Sequence, residues 1–162
     1  MALERYDRAA AAAYAARWAH GRNPEYADFS ALGGDCTNFV SQCLFAGCGI
    51  MDRTRDTGWY YRSMTDRAPA WSGVKFLHRF LLGNAEQGPV GEAAEIGQLE
   101  PGDVIFLAAG GLLYHSLLVV RPGEVPYIAA HTSDSWMRPV SEYGRAERIG
   151  VRIKGVRRRG RG

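Results

Sequence analysis

Apolar positions recur at helical spacing in the first half of the chain and gather into short, dense runs in the second. Over residues 4–20, Tyr6, Ala10, Ala13, Tyr14 and Trp18 fall on one face at three- and four-residue steps, which predicts an amphipathic helix. Gly21 and the Asn23-Pro24 pair stop it. A second helix is expected from Asp35, with Phe39, Val40, Cys43 and Leu44 forming its buried stripe and Gly47 ending it. Residues 48–70 read as loop around the aromatic cluster Trp59, Tyr60 and Tyr61, and 71–82 read as a third helix closed by Gly83. From Pro101 the segments 103–108, 114–120, 125–132 and 149–156 are short and rich in β-branched or aromatic residues, with Gly and Pro between them. Helices first and strands later predict an α+β domain whose antiparallel sheet packs on the second helix.

The length of 162 residues suits one domain that buries about two-thirds of its unfolded surface. No apolar run approaches the roughly 20 residues that span a bilayer. Charges at Glu4, Arg5, Asp7, Arg8 and Arg17 break the alanine-rich start, so it lacks the apolar core of a secretory leader. The expectation is a cytoplasmic protein as the chain stands, or an exported one trimmed from a precursor. The net charge of +3 is uneven. Seven basic side chains and no acid lie in 148–162, leaving thirteen basic against seventeen acidic residues elsewhere. The basic end reads as a solubilising terminus, with residues 1–156 as the domain and 157–162 as a flexible tail. Nothing in the remainder suggests a polyanion binder.

Three cysteines at 36, 43 and 48 give neither a disulfide framework nor the paired spacing of a structural zinc site. No metal or other cofactor is expected. The sharpest local feature is GGDCTNFVSQC at 33–43. Two glycines permit a tight turn, and Asp35 is a good N-cap whose carboxylate could accept from first-turn amides. Cys36 then opens the helix, where the positive dipole end favours a thiolate and the free N–H groups can hold an oxyanion. Cys43 and Cys48, further into the apolar stripe, read as core.

A thiolate nucleophile needs an acid–base partner. Of the four histidines, His20 ends an exposed helix and His78 sits within one. His115 opens an apolar strand beside a glycine turn, which suits a working side chain. If strands 114–120 and 125–132 pair around the 121–124 turn with residue sums near 245, His131 lies opposite Tyr114 and His115. There it, or Asp134 three residues on, could orient the base. No G-x-S-x-G elbow accompanies Ser116. Asn38 and Gln42 are expected to hydrogen-bond nearby backbone.

The order of cysteine, then strand histidine, then a polar residue on the next strand resembles the papain-like cell-wall hydrolases, including the NlpC-type peptidases and CHAP amidases. More closely, the chain resembles the bacterial putative amidase domain family. The matching pieces are YDRAAAAAYAARWAHGRNPEYADF (6–29), GGDCTNFVSQCLFAG (33–47), GWYY (58–61), Ser72 and Val74 after Trp71, PGDVIF (101–106), YHSLLVV (114–120) and AHTSD (130–134). The segment around 84–98 reads as an insertion. The resemblance implies a papain-like α+β fold that cleaves amide bonds without metal, with Cys36 as nucleophile, His115 as base and His131 as third residue, Asp134 being the alternative. It further implies a peptide or peptidoglycan substrate, and an oxyanion role for Tyr26 like that of an upstream tyrosine in NlpC-type relatives. Asp35, Trp59, Tyr60 and Trp136 are cleft candidates. An acyltransferase or a non-catalytic peptide- or glycan-binding module would use the same scaffold; nucleic-acid binding through the tail is the least favoured reading.

Overall fold

The structure is a computed structural model that describes residues 2–159. Helix α1 spans Arg8–Trp18 and begins where Asp7 caps it, the Asp7 carboxylate accepting from the Ala10 N–H at 3.0 Å. It starts later than the periodicity predicts because Glu4 is engaged elsewhere, in a backbone bridge to Val156. Its buried stripe is Ala11, Ala15 and Ala19, with Tyr14 and Trp18 only partly covered. Small side chains face α2 because the two helices pack closely.

Helix α2 runs from Cys36 to Cys48 and ends at Gly49, whose φ of +72° supplies the left-handed turn. Gly47 therefore lies inside the helix rather than ending it. A Cβ there would stand 2.4 Å from the Tyr6 ring and 2.8 Å from the Asp7 carbonyl. The predicted stripe holds: Phe39, Val40, Cys43 and Leu44 are fully buried.

A small hairpin, β1 (Tyr61–Ser63) with β2 (Asp66–Arg67), interrupts the region read as loop. The single helix expected over 71–82 is two, α3 (Pro69–Ser72) and α4 (Val74–Gly83), broken at Gly73, where a Cβ would press on the Phe76 ring.

The strands are β3 (Gly88–Ala94), β4 (Val104–Ala109), β5 (Leu112–Arg121), β6 (Tyr127–Ala130), β7 (Ser135–Pro139) and β8 (Glu147–Arg157). They form one antiparallel sheet in the order β3-β8-β4-β5-β6-β7. The architecture is thus α+β, N-terminal helices on a C-terminal antiparallel sheet. Edge strands β3 and β7 escaped the sequence reading, being built from GPVGEAA and SWMRP with little β-branched content.

Alternation divides the sheet into two faces. Val104, Phe106, Leu118, Ala129 and Val151 pack with the helices, whereas Ile105, Leu107, Leu117, Val119 and Ile128 pack on the other side with Val140 and Tyr143. The β5–β6 hairpin pairs Leu118 with Ala129 and Val119 with Ile128, two residues away from the expected register. Among the described residues no helix is long and apolar enough to cross a membrane.

The basic end is largely spent on neighbours. Arg157 closes β8 and donates to the Asn84 carbonyl. Arg158 pairs with Glu4 at 3.0 Å and Arg159 with Glu86 at 2.5 Å. The rest of the expected tail, residues 160–162, lies outside the described residues.

Candidate active site

The chain reaches α2 through a turn in which Gly33 and Gly34 take φ of +99° and +113°, angles that favour glycine. Asp35 anchors that turn, and not as a cap. Its Oδ1 accepts from the Phe29 N–H at 2.8 Å and from Asn38 Nδ2 at 2.9 Å, while its Oδ2 lies 2.5 Å from His131 Nδ1. The expectation that this carboxylate binds first-turn amides is corrected: a stronger set of tertiary partners takes it. Among the described residues, no side chain accepts from the N–H groups of Cys36, Thr37 or Asn38.

Cys36 is the first residue of α2 and is 8% exposed. It lines a hollow of about 440 Å³ with Arg22, Ser30, Gly34, Thr132, Ser133 and Asp134. Its sulfur is 3.7 Å from Thr37 Oγ1, which in turn is 2.9 Å from Ser116 Oγ. That contact fixes β5 against the start of α2. Cys43 and Cys48 are different in kind: burial pushes the Cys43 thiol well up and that of Cys48 to about 11, so both persist as thiols at neutral pH. All three are free.

His131 lies on the helix-bearing side, its ring stacked on Phe39 at 4.0 Å and only 1% exposed. Its Nε2 is 2.8 Å from the Trp18 carbonyl at the end of α1 and 3.2 Å from Arg22 Nη1. The two hydrogens of that Nη1 go to the Gly21 carbonyl and Asp134 Oδ2, both at 2.9 Å. Nε2 therefore donates to Trp18, and the ring faces acceptors at both nitrogens.

On β5 the residue bonded to the start of α2, through Thr37, is Ser116 rather than His115. Successive strand residues point to opposite faces. His115 instead pairs across the ladder with Leu107 on the far face, its ring 5.7 Å from that of Tyr143. Burial, helped by the Arg138 guanidinium, pulls its pKa down from 6.5 to about 4. It is a neutral, buried imidazole at physiological pH.

The other candidates divide similarly. Asp134 belongs to the hollow, bound by Arg22 through both carboxylate oxygens at 2.9 and 3.1 Å. Tyr26 does not: its ring packs on Tyr61 and Trp71, and burial raises its hydroxyl to about 12. Trp59 is core, fully buried with its indole N–H donating to Ser41, and Tyr60 donates to Asp66. Neither lines the hollow. Trp136 is partly exposed on β7. Asn38 donates to the Ala27 carbonyl as expected, whereas Gln42 accepts from the Tyr14 hydroxyl. Arg22 escaped the sequence reading, since a lone arginine in a loop carries no pattern. Among the described residues, no group of three His, Cys, Asp or Glu side chains is arranged to hold a metal.

The PGDVIF segment has a clear structural task. Asp103, fully buried, accepts from Arg8 Nη1 at 2.7 Å and from the backbone N–H groups of Ile153 and Glu100 at 2.8 Å. It joins α1, β4 and β8, while Tyr6 donates to the Gly102 carbonyl. Burial nevertheless leaves the Asp103 carboxyl above its usual range.

Residues 5–154 match the family model described as "Putative amidase domain". The chain belongs to that family. It is also 35% identical over 140 residues to the uncharacterized protein YhbB of Bacillus subtilis (strain 168). The match covers 82% of this chain and 43% of that relative, so the chain spans less than half of the relative's length. No solved structure matches significantly. Family membership supports hydrolysis of amides.

Proposed function

We propose that this chain is a cysteine amidase of papain-like architecture, with Cys36 as nucleophile, acting on peptide amides of the bacterial cell wall. The observation that carries the reading is Cys36 itself: it opens α2 beside three amides that no side chain caps, and it borders a hollow. The family supports the amide bond as target. The similarity of the GGDC, strand-histidine and AHTSD pieces to cell-wall hydrolases supports the peptide substrate.

In this reading the Cys36 thiolate attacks the amide carbonyl, forming the C–S bond. The amides of the first helical turn stabilise the oxyanion. Collapse breaks the C–N bond, and the amine leaves with a proton from an imidazole. Water then cleaves the thioester, giving a carboxylate and restoring the thiol. We assign the proton transfer to His131 rather than His115. His131 shares the helix-bearing face, with Asp35 at Nδ1 and the Trp18 carbonyl at Nε2, the nitrogen to which we give the transfer. Nε2 must release the Trp18 carbonyl during turnover.

Two experiments test this. Brief iodoacetamide treatment of the native protein, read by peptide mass mapping, should label Cys36 at least a hundredfold faster than Cys43 or Cys48. On purified cell-wall peptides, Cys36→Ala should abolish amine release. There His131→Gln should lower kcat by 10² to 10⁴ and flatten its pH profile, while folded His115→Gln should retain both. Full activity in Cys36→Ala removes the mechanism. A reversed result for the two histidines returns the base to His115.

A further inference from the structure

The hollow beside Cys36 holds one ion pair whose two members are not equally fixed. Arg22 is tied from several sides: Nη1 to the Gly21 carbonyl, Nη2 to Ser30 Oγ at 3.2 Å, and Nε at 3.3 Å from Asp28 and 3.6 Å from Asp35. Asp134, by contrast, has Arg22 as its described partner and nothing else. It sits at the end of a loop in which Thr132 and Ser133 both take left-handed backbone angles, φ of +70° and +54°. Such angles are costly for residues with a Cβ and persist only where contacts enforce them. The β6–β7 pairing and the Ser135 hydroxyl, which donates to the Ser133 carbonyl at 2.7 Å, set this turn, and the bidentate grip of Arg22 fixes the Asp134 side chain on it.

An incoming ammonium would have to displace Arg22, which Gly21, Ser30 and two further carboxylates hold in place. An incoming carboxylate has only to displace Asp134, and the exchange conserves charge at the guanidinium. We infer that Arg22 forms a carboxylate-binding subsite next to Cys36, in which Asp134 is a resting stand-in for a substrate carboxylate. The ligand class is an amide that carries a free carboxylate close to the scissile bond, such as the C-terminal residue of a peptide. Arg22 suits this because a guanidinium matches a carboxylate in two parallel hydrogen bonds, which lysine cannot reproduce. The inference rests on Cys36 being the nucleophile and adds what is recognised beside it.

The test needs no knowledge of the substrate and no turnover. Cys36 is alkylated in the native protein with iodoacetate and, separately, with iodoacetamide; in each case sulfur displaces iodide. The ratio of the two rates is normalised to the same ratio for free cysteine. The expected result is a normalised ratio of about tenfold or more in favour of iodoacetate. It should fall to about one in Arg22→Gln, and rise further in Asp134→Asn, which frees the guanidinium. Arg22→Lys, which keeps the charge and loses the fork, should fall between and serves if the Gln variant does not fold. A normalised ratio near one in the native protein overturns the subsite, as does a ratio unchanged in Arg22→Gln or lowered in Asp134→Asn. Rapid labelling by iodoacetamide without an iodoacetate excess removes the subsite but leaves the nucleophile standing. Failure of Cys36 to react with either reagent removes both.

Discussion

Replacing His115 by Gln tests whether this imidazole belongs to the far face of the sheet. In the folded protein its pKa is about 4, against 6.5 for an ordinary histidine. A base whose folded pKa is depressed contributes stability that is present above the unfolded value and is lost as pH falls toward the folded one. Between pH 6.5 and 4 the unfolded chain binds a proton that the native state refuses, so stability declines with falling pH. With His115 only 8% exposed, little solvent screening applies. The 2.5-unit gap between the two values corresponds to roughly 3 kcal/mol at its limit. About 2 kcal/mol of this is lost between pH 7 and pH 5, where the unfolded histidine is already charged.

The assay is urea unfolding of the native protein and His115→Gln at pH 7, 6, 5 and 4. Other groups titrate in both proteins and cancel in the difference. His115→Gln is expected to be less stable at pH 7, because it loses the ring packed against Tyr143, and to close that gap by about 2 kcal/mol at pH 5. Parallel stability profiles for the two proteins refute the burial argument.

Three further outcomes follow, two from packing and one from buried charge. Gly47→Ala forces a methyl group against the Tyr6 ring and the Asp7 carbonyl, and should cost about 1–3 kcal/mol by thermal unfolding. Gly83→Ala in α4, where nothing lies within 4 Å of the added carbon, should be neutral or stabilising by up to about 1 kcal/mol. Arg8→Met strands the fully buried Asp103 carboxylate and should cost about 3–5 kcal/mol at pH 7. That deficit should shrink toward pH 4 as the carboxyl takes up a proton, and a constant deficit refutes the charge argument.

The cysteine helix was legible because three independent signals agree there: the glycine turn, the acidic residue at the boundary and an apolar stripe at helical spacing. Four of the strands were legible for a similar reason, as β-rich segments bounded by Gly and Pro. What failed was parity. In an antiparallel pair an odd residue sum aligns odd-numbered with even-numbered positions. His131 then shares a face with Tyr114 or Ser116, and never with His115, whichever odd register is chosen. The observed sum of 247 keeps that parity and extrapolates His131 level with Ser116, beside the start of α2. Arg22 was invisible for another reason. Its importance comes from four chain segments meeting around one guanidinium, and no local pattern records that. Strand β3 was hidden because an edge strand can be held by backbone bonds alone, even through Gly and Pro.

The direction in which Asp35 turns connects the fold to the chemistry. Had its carboxylate capped α2, it would have occupied first-turn amides and set a negative charge where the proposed mechanism forms its oxyanion. Its bonds to Phe29, Asn38 and His131 draw that charge away from the helix start and spend it on locking the glycine turn to β6. A buried polar cluster of this kind adds little net stability, because desolvation offsets most of what its hydrogen bonds gain. What it supplies is position. The residue before Cys36 is held by three segments at once, so the sulfur and the free amides beside it share one rigid frame. Asp35→Asn would keep the shape of that frame while replacing the carboxylate oxygen that faces His131 Nδ1. Loss of amidase activity without loss of fold in that variant would tie the acid to the histidine rather than to the turn.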